Sequence, residues 1–423
     1  MGFNLPWRKT QTSKTEARAI AAPGTGASGS KASQTKASEN KASETKASAA
    51  ARILAWQSSA MPRWSARDTT SLTRLGFIGN PIGFRAVRMV AEAAAAVPLV
   101  LQDVTERYET HPVLNLVNRP HPAQTGQDFL EALFGHLLLT GNAYVEAVNA
   151  EEDWPDELHV LRPDRMSIVP GPDGWPQAYD YTVGARKHRF FSDGGRCSIL
   201  HLKNFHPQDD HYGLAPMQAA ALALDVHNAA TQWSKGLLDN AARPSGALVW
   251  AGSEGQGMMS DDQFRRLSDE IETNFQGARN AGRPMVLEGG LDWKPMGFSP
   301  SDMEFQKTKE AAAREIALAF GVPPMLLGLP GDAAYANYQE ANRAFYRLTV
   351  LPLATRVAAG LSDWLSGFGT ETLVLKPDLD QVPALAEERD RHWRRVSTAD
   401  FLSPAEKRRM LGLPALSEEE TDA

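Results

Sequence analysis
The chain has 423 residues and a mass of 46.2 kDa, room for two or three ordinary domains. Hydrophobic residues make up 42% of it, so a sizeable core can form and wholesale disorder is excluded. The single cysteine, Cys197, rules out an intramolecular disulfide and any multi-cysteine zinc or iron–sulfur site, which suits a reducing compartment. Mean hydropathy is −0.36 and the best apolar run, Val87 to Leu101, is broken by Glu92 and Pro98, so no membrane span is expected. Met1 to Thr10 lacks an apolar signal region, and Pro6 stands where a myristoylation signal needs Ser or Thr. A soluble, non-secreted protein is the expectation.

The net charge of −7 hides an asymmetry. Residues 1–74 carry 12 Lys/Arg against 4 Asp/Glu, a balance of +8, and the rest of the chain has a balance of −15. A basic arm on an acidic body fits an arm that meets something anionic, or one that only solubilises. Lys-Ala-Ser recurs at Lys31, Lys36, Lys41 and Lys46, a period of five that matches neither helix nor strand. Disorder is therefore expected from about residue 8 to 50. Gly24, Gly26 and Gly29 satisfy G-x-G-x-x-G in letters, but no strand precedes them. Ser30 takes the place of a Walker lysine, so a P-loop is excluded.

Past residue 75 the signals are those of a mixed α+β protein. Asn80-Pro81 caps a helix through Val87, Val90 and Ala94, and a strand follows at Pro98 to Val104. Thr125 with Asp128 opens a helix carrying Leu130, Leu133, Phe134, Leu137 and Leu138 on one face. Gly141-Asn142 ends it before a strand at Ala143 to Val148. Short strands are expected at Leu158 to Leu161, Met166 to Val169, Tyr179 to Val183 and Ser198 to Leu202. A helix spans about Pro216 to Asn240. A small block follows: strand Gly246 to Trp250, helix Ser260 to Phe275, strands Pro284 to Glu288 and Leu291 to Pro295. Ser301 with Glu304 caps the next helix, which ends at Phe320-Gly321 before Pro323 and Pro324. Residues 322–334 read as a Gly/Pro loop. The longest helical pattern, Tyr335 to Leu365, contains Pro352, which removes one backbone bond and predicts a kink. A strand at Thr372 to Lys376, two charged helices over 384–412 and a loose acidic tail complete the chain.

Candidate chemistry is sparse. His201, His206, Asp209, Asp210 and His211 combine imidazole and carboxylate at close spacing, as a zinc or non-haem metal site would. They fall on a strand end and a loop, where a structural role competes with ligation. Asp378 and Asp380 are paired carboxylates without visible partners, and Cys197 has no catalytic context. No G-x-S-x-G elbow occurs. The pattern argues against an enzyme and requires no cofactor or metal.

The order of elements, with particular motifs in it, resembles the portal proteins of tailed bacteriophages and phage-like gene transfer agents. The motifs are Arg85-Ala-Val87 leading to Val97-Pro98-Leu99, His111-Pro112 with Asn118-Arg-Pro120, and Thr140-Gly-Asn-Ala-Tyr144. His201 with Tyr212-Gly-Leu-Ala-Pro216, Arg243-Pro-Ser-Gly246 and Asp302-Met-Glu-Phe305 follow. The strongest run is Glu315-Ile-Ala317, Phe320-Gly-Val-Pro-Pro-Met325, Gly328, Tyr335-Ala-Asn337, Glu340 and Leu351-Pro352. Ser403-Pro-Ala-Glu406-Lys-Arg408 is an imperfect form of a family signature near the end of the chain, and the basic arm lies outside the pattern.

The resemblance implies a portal fold and a ring, a dodecamer in the family, at one vertex of a capsid. DNA would enter and leave through it. It divides the chain into an arm (1–51), a first wing part (52–215), a stem helix (216–241) and a clip (242–300). A second stem helix (301–321), a tunnel loop (322–334), a kinked wing helix and strand (335–376) and a crown with tail (377–423) follow. Implied partners are further copies of the chain, the major capsid protein, the terminase large subunit, a head–tail adaptor and double-stranded DNA, with no membrane. The expected setting is the portal vertex of a particle, and the bacterial cytoplasm during assembly. Met325, Leu326 and Leu327, next to Gly328, would ring the channel as an apolar constriction, or else pack in the wing core. Lys307, Lys309 and Arg314 would touch phosphates weakly, or serve surface solvation or pairing between subunits. The competing readings are a metal-dependent hydrolase built on His201, His206 and His211 and a nucleic-acid-binding factor using the basic arm.

Overall fold
A computed structural model describes residues 68–103, 106–149, 154–192, 197–239, 246–250, 260–275, 291–295, 305–330, 335–370 and 373–413. The Lys-Ala-Ser arm, the expected strand at 284–288, the Ser301/Glu304 capping box and the acidic tail lie outside them.

The first half pairs helices with small antiparallel sheets. Helix α1 (Thr69–Leu72) runs into a π-helical stretch, Thr73–Ile78, and α2 (Pro81–Ala95) follows. Buried Asn80 starts α2: its Oδ1 accepts the amides of Ile82 and Gly83 at 3.0 and 2.9 Å. Its Nδ2 donates to Asn228 Oδ1 (2.9 Å) and His227 Nδ1 (3.1 Å). The residue that caps one helix therefore also fixes a second, distant in sequence. Strands β1 (Leu99–Gln102) and β2 (Arg107–Tyr108) precede α3 (Pro112–Asn118) and α4 (Gly126–Thr140). The expected stripe on α4, Leu130, Leu133, Phe134, Leu137 and Leu138, is buried together with Phe129. Strands β3 (Asn142–Val148), β4 (Glu157–Leu161), β5 (Met166–Pro170), β6 (Pro176–Val183), β7 (Arg186–Phe191) and β8 (Ile199–Lys203) make two sheets, ordered β4-β3-β8 and β5-β6-β7.

In the second half, α5 (Pro216–Ala219) and α6 (Ala221–Asp239) replace the single helix expected from Pro216. Ala220 separates them, at φ −78° and ψ −6°, where the helical ladder bends. Strand β9 (Gly246–Trp250), helix α7 (Asp261–Phe275) and strand β10 (Leu291–Pro295) form the small block, with β9 and β10 antiparallel. Helix α8 (Phe305–Ala319) returns alongside α6, stacking Phe305 on Trp233 at 3.8 Å. Helix α9 (Tyr335–Phe345), a π-helical stretch Tyr346–Val350 and α10 (Leu351–Ser366) make up the long helix. Strand β11 (Val374–Pro377) then pairs with β1, and α11 (Ala386–Ser397) and α12 (Pro404–Leu411) end the described chain. One core runs through α2, α4, α6, α8 and α10, with Phe129, Phe134, Ile316 and Leu361 fully enclosed.

The interruption expected at Pro352 takes the form of the π stretch just before it. Proline supplies no amide, and its ring crowds the carbonyl one turn back, so the preceding turn widens. Pro352→Ala restores the donor, and we expect this turn to tighten to α spacing. Slower amide exchange at 346–352 would register the change, and unchanged exchange would show that the π turn has another cause.

Strand β7 was not expected from the sequence. Its Arg-Lys-His-Arg run reads as solvated surface. Asp180 on β6 lies opposite Arg189, bonds it at 2.6 and 2.9 Å, and also pairs with Lys187 at 2.6 Å. The charges therefore lie along one face of the sheet and stabilise its edge.

Candidate functional site
The residues of the Thr140-Gly-Asn-Ala-Tyr and Tyr212-Gly-Leu-Ala-Pro motifs meet at one polar junction, between the end of α4 and the loop that leads into α5 and α6. Gly141 ends α4 in the left-handed region, at φ +76°. Its backbone lies so close to Gly213 that a Cβ on Gly141 would stand 2.3 Å from the Gly213 carbonyl oxygen, and one on Gly213 would stand 2.2 Å from that of Gly141. Buried Asn142 fixes the approach. Its Oδ1 accepts from the Gly213 amide (2.8 Å) and His201 Nε2 (3.1 Å), and its Nδ2 donates to the Thr140 carbonyl (2.9 Å). Asn204 completes the junction. Its amide donates to Gly141 O at 2.8 Å, and its side-chain nitrogen donates to the carbonyls of Leu137 and Leu214. Its Oδ1 accepts from Arg356 of α10 at 2.6 Å. Three stretches distant in sequence are thus bound at one point, and the amide side chains satisfy backbone groups that the glycine contact leaves without ladder partners.

His201 serves this junction rather than a metal. It stacks on Tyr144 of the neighbouring strand at 4.4 Å, and burial, reinforced by Lys203 and His211, pushes its pKa down to about 3. It is therefore neutral at ordinary pH, with the proton on Nε2 facing Asn142. His206 Nδ1 accepts the Gln208 amide. Asp209 Oδ1 accepts the amides of His211 and Tyr212 at 2.8 and 2.9 Å, an Asx turn. Among the described residues no group of three or more His, Cys, Asp or Glu side chains could hold a metal ion. The hydrolase reading of His201, His206 and His211 therefore finds no ligand geometry: His201 faces Asn142 and Tyr144, His206 accepts from its own loop, and the buried Nδ1 of His211 has no hydrogen-bond partner among the described residues.

The remaining candidates also have structural partners. Cys197 is half-buried, its Sγ accepts the Ile199 amide, and its carbonyl accepts from Trp364 Nε1. Burial would raise the Asp378 pKa, but hydrogen bonds from Arg107 (2.8 Å), Gln381 and the Asp380 amide hold it below the usual carboxylate range. Asp380 is likewise lowered, chiefly by Arg389 at 2.6 Å, with Trp393 also donating to it. The two carboxylates hold β2, β11 and α11 together, and neither pushes the other's titration apart as an acid–base pair does.

Tyr144 is 1% exposed, and its hydroxyl has no hydrogen-bond partner among the described residues. A buried hydroxyl left unsatisfied costs about 1–3 kcal/mol. We therefore expect Tyr144→Phe to leave thermal stability unchanged or to raise it. A clear loss of stability on calorimetry would mean that the hydroxyl has a stabilising partner.

The loop after α8 is a second candidate. Gly321, at φ +66°, ends α8, and its carbonyl accepts from Thr349 Oγ1 in the π stretch at 2.7 Å. Pro324–Leu327 form a 3₁₀ turn closed by Gly328 at φ +73°. Leu326 and Leu327 lean on the main core, and Met325 is half-buried. The turn is therefore anchored by two of the three residues that the resemblance placed in the channel. Lys307, Lys309 and Arg314 do not form one basic face. At about 100° per residue, Lys307 and Arg314 share a stripe and Lys309 lies on nearly the opposite side. Lys309 is half-buried and close enough to His227 to lower its pKa, after burial, and Arg314 donates to the Pro330 carbonyl.

The profile of the phage portal protein family matches residues 81–412. The chain is 66% identical to a chain in the neck of an empty gene transfer agent particle computed with C6 symmetry. That match covers 84% of this chain and 95% of the other, with a TM-score of 0.65. A chain in the neck of the native particle, computed with C12 symmetry, is 65% identical over 83% of this chain and 95% of its own, with a TM-score of 0.64. The portal protein of Enterobacteria phage HK97 is 24% identical over 67% of this chain and 66% of its own length. The chain belongs to the phage portal protein family.

Proposed function
We propose that this chain is the subunit of a ring at the neck of a gene transfer agent-like particle, through which double-stranded DNA passes. The similarity to the particle-neck chains, at 65–66% identity over most of both lengths, carries this reading. Its role is structural rather than catalytic. In the ring, residues 52–215 and 335–376 are the wing, 216–241 and 301–321 the stem, 242–300 the clip and 377–423 the crown and tail. The polar junction of Gly141, Asn142, His201, Asn204 and Gly213 then holds the wing rigidly to the start of the stem. The body's charge balance of −15 repels phosphate, so a moving duplex is not gripped. The loop 322–334 faces the duplex, with Leu326 and Leu327 as its anchor and half-buried Met325 beside them. Partners of the ring are the major capsid protein, the terminase large subunit and a head–tail adaptor.

The test is nuclease-protected DNA in cells that make the particles. Loss of this chain is expected to leave particles without protected DNA, and restoring it to return the signal. In cells carrying Met325→Glu, rings are expected to form and protected DNA to fall. Protected DNA at the normal level without the chain contradicts the conduit reading.

A further inference from the structure
We propose that neighbouring subunits join through two specific stripes, the outward face of α6 on one copy and the outward face of α8 on the next. This rests on the ring reading above and assigns the residues that close the ring. On α6, Leu222 is 52% exposed, Ala229 is exposed and Asp225 is half-buried. Spaced three and four residues apart, they form one stripe. On α8, Leu318 is 79% exposed, and Ala311 and Arg314 are exposed at the same spacing. Along the chain the α6 stripe runs large apolar, charge, small and the α8 stripe runs small, charge, large apolar, and the charges are opposite.

Their heights also match. The helices run antiparallel: Trp233 meets Phe305, and His227 lies within the electrostatic reach of Lys309. Measured from the Trp233–Phe305 level at about 1.5 Å per residue, Asp225 stands at about 12 Å and Arg314 at about 14 Å. On the same scale Ala229 and Ala311 stand at about 6 and 9 Å, and Leu222 and Leu318 at about 17 and 20 Å. A rotation about an axis along the stem leaves every height unchanged. A neighbour's α6 brought against α8 therefore sets leucine by leucine, Asp225 by Arg314 and alanine by alanine, where small residues let the helices approach. The two stripes are different surfaces of one chain, as a heterologous contact that closes into a ring requires. Arg314 and Lys307, considered above as phosphate contacts, then belong to the rim between subunits.

Two experiments decide it. In a Cys197→Ser background, Leu222→Cys combined with Leu318→Cys, treated with a short bis-maleimide, is expected to give a ladder of covalent multimers. Each single cysteine variant alone gives none, and the two single variants mixed before assembly give dimers. Arg314→Glu or Asp225→Lys alone is expected to lower the ring fraction at least tenfold on size exclusion with light scattering, and the combined reversal to restore it. Rings seen by electron microscopy without a ladder, or a combined reversal no better than the single variants, overturn this contact and leave the ring reading standing. A wild-type protein that forms no ring overturns both.

Discussion
Alanine at Gly213 or at Gly141 is expected to destabilise the subunit by about 3–5 kcal/mol, from backbone strain added to overpacking, enough to leave much of it insoluble. At either position the new Cβ falls about 2 Å from a carbonyl oxygen of the other glycine, well inside contact distance, and backbone cannot move aside as a side-chain tip can. Gly141 also adopts φ +76°, which an alanine resists. The damage would spread, because Asn142, Asn204 and His201 are all placed by that contact. Gly135 on α4 is the control. A Cβ there meets nothing within 4 Å, so Gly135→Ala is expected to raise stability by about 0.5–1 kcal/mol. Chemical denaturation of the three variants checks both directions, and equal stability of Gly213→Ala and wild type would show that the two segments do not lie in contact.

Acid is expected to weaken the fold well before its carboxylates titrate. Burial holds His201 at about 3 and His136 at about 4, against 6.5 for a free imidazole. Between those values the unfolded chain binds protons that the folded one refuses, so stability rises with pH there and is lost as pH falls from about 6.5. Each histidine contributes a slope of about 1.4 kcal/mol per pH unit. The His136 contribution is complete near pH 4 and that of His201 near pH 3. Asp180 acts in a lower window. The Arg189 hydrogen bond, with help from Lys187, holds its pKa below the usual range, so its contribution is present above about pH 3.9 and disappears below it. Melting temperatures from pH 7 to pH 4 test this. His201→Gln keeps a donor for Asn142 and removes one titration, so it is expected to take about 1.4 kcal/mol per pH unit off the slope while the contributions of His136 and His227 remain, and a slope unchanged in that variant would contradict the assignment.

The sequence showed helices best where both ends carried signals. Asn80-Pro81 and Gly141 mark α2 and α4 within a residue, and the apolar stripe on α4 is the one that is buried. It failed where charge is paired across strands. The basic run of β7 is exposed, as its composition suggests, and what makes it a strand is Asp180 opposite Arg189, a contact between strands that no single strand reveals. Short α3 was missed because its start depends on His111 Nδ1 accepting the Val113 amide, a cap outside the usual set. The histidine cluster left ligation open beside a structural role because spacing in sequence says nothing of rotamer: His201 faces Asn142 and Tyr144 across a sheet, and Asp209 turns onto its own loop. The glycines of the junction were visible as motif residues, but their mutual contact is tertiary and depends on the two strands and the helix end arriving together.

Electron microscopy of the purified protein tests the central claim most directly. Closed rings of a single cyclic symmetry around an open channel are the predicted result, with α6 and α8 running along the axis. A protein that remains monomeric at every concentration, or that associates only as two-fold dimers or open filaments, would contradict it.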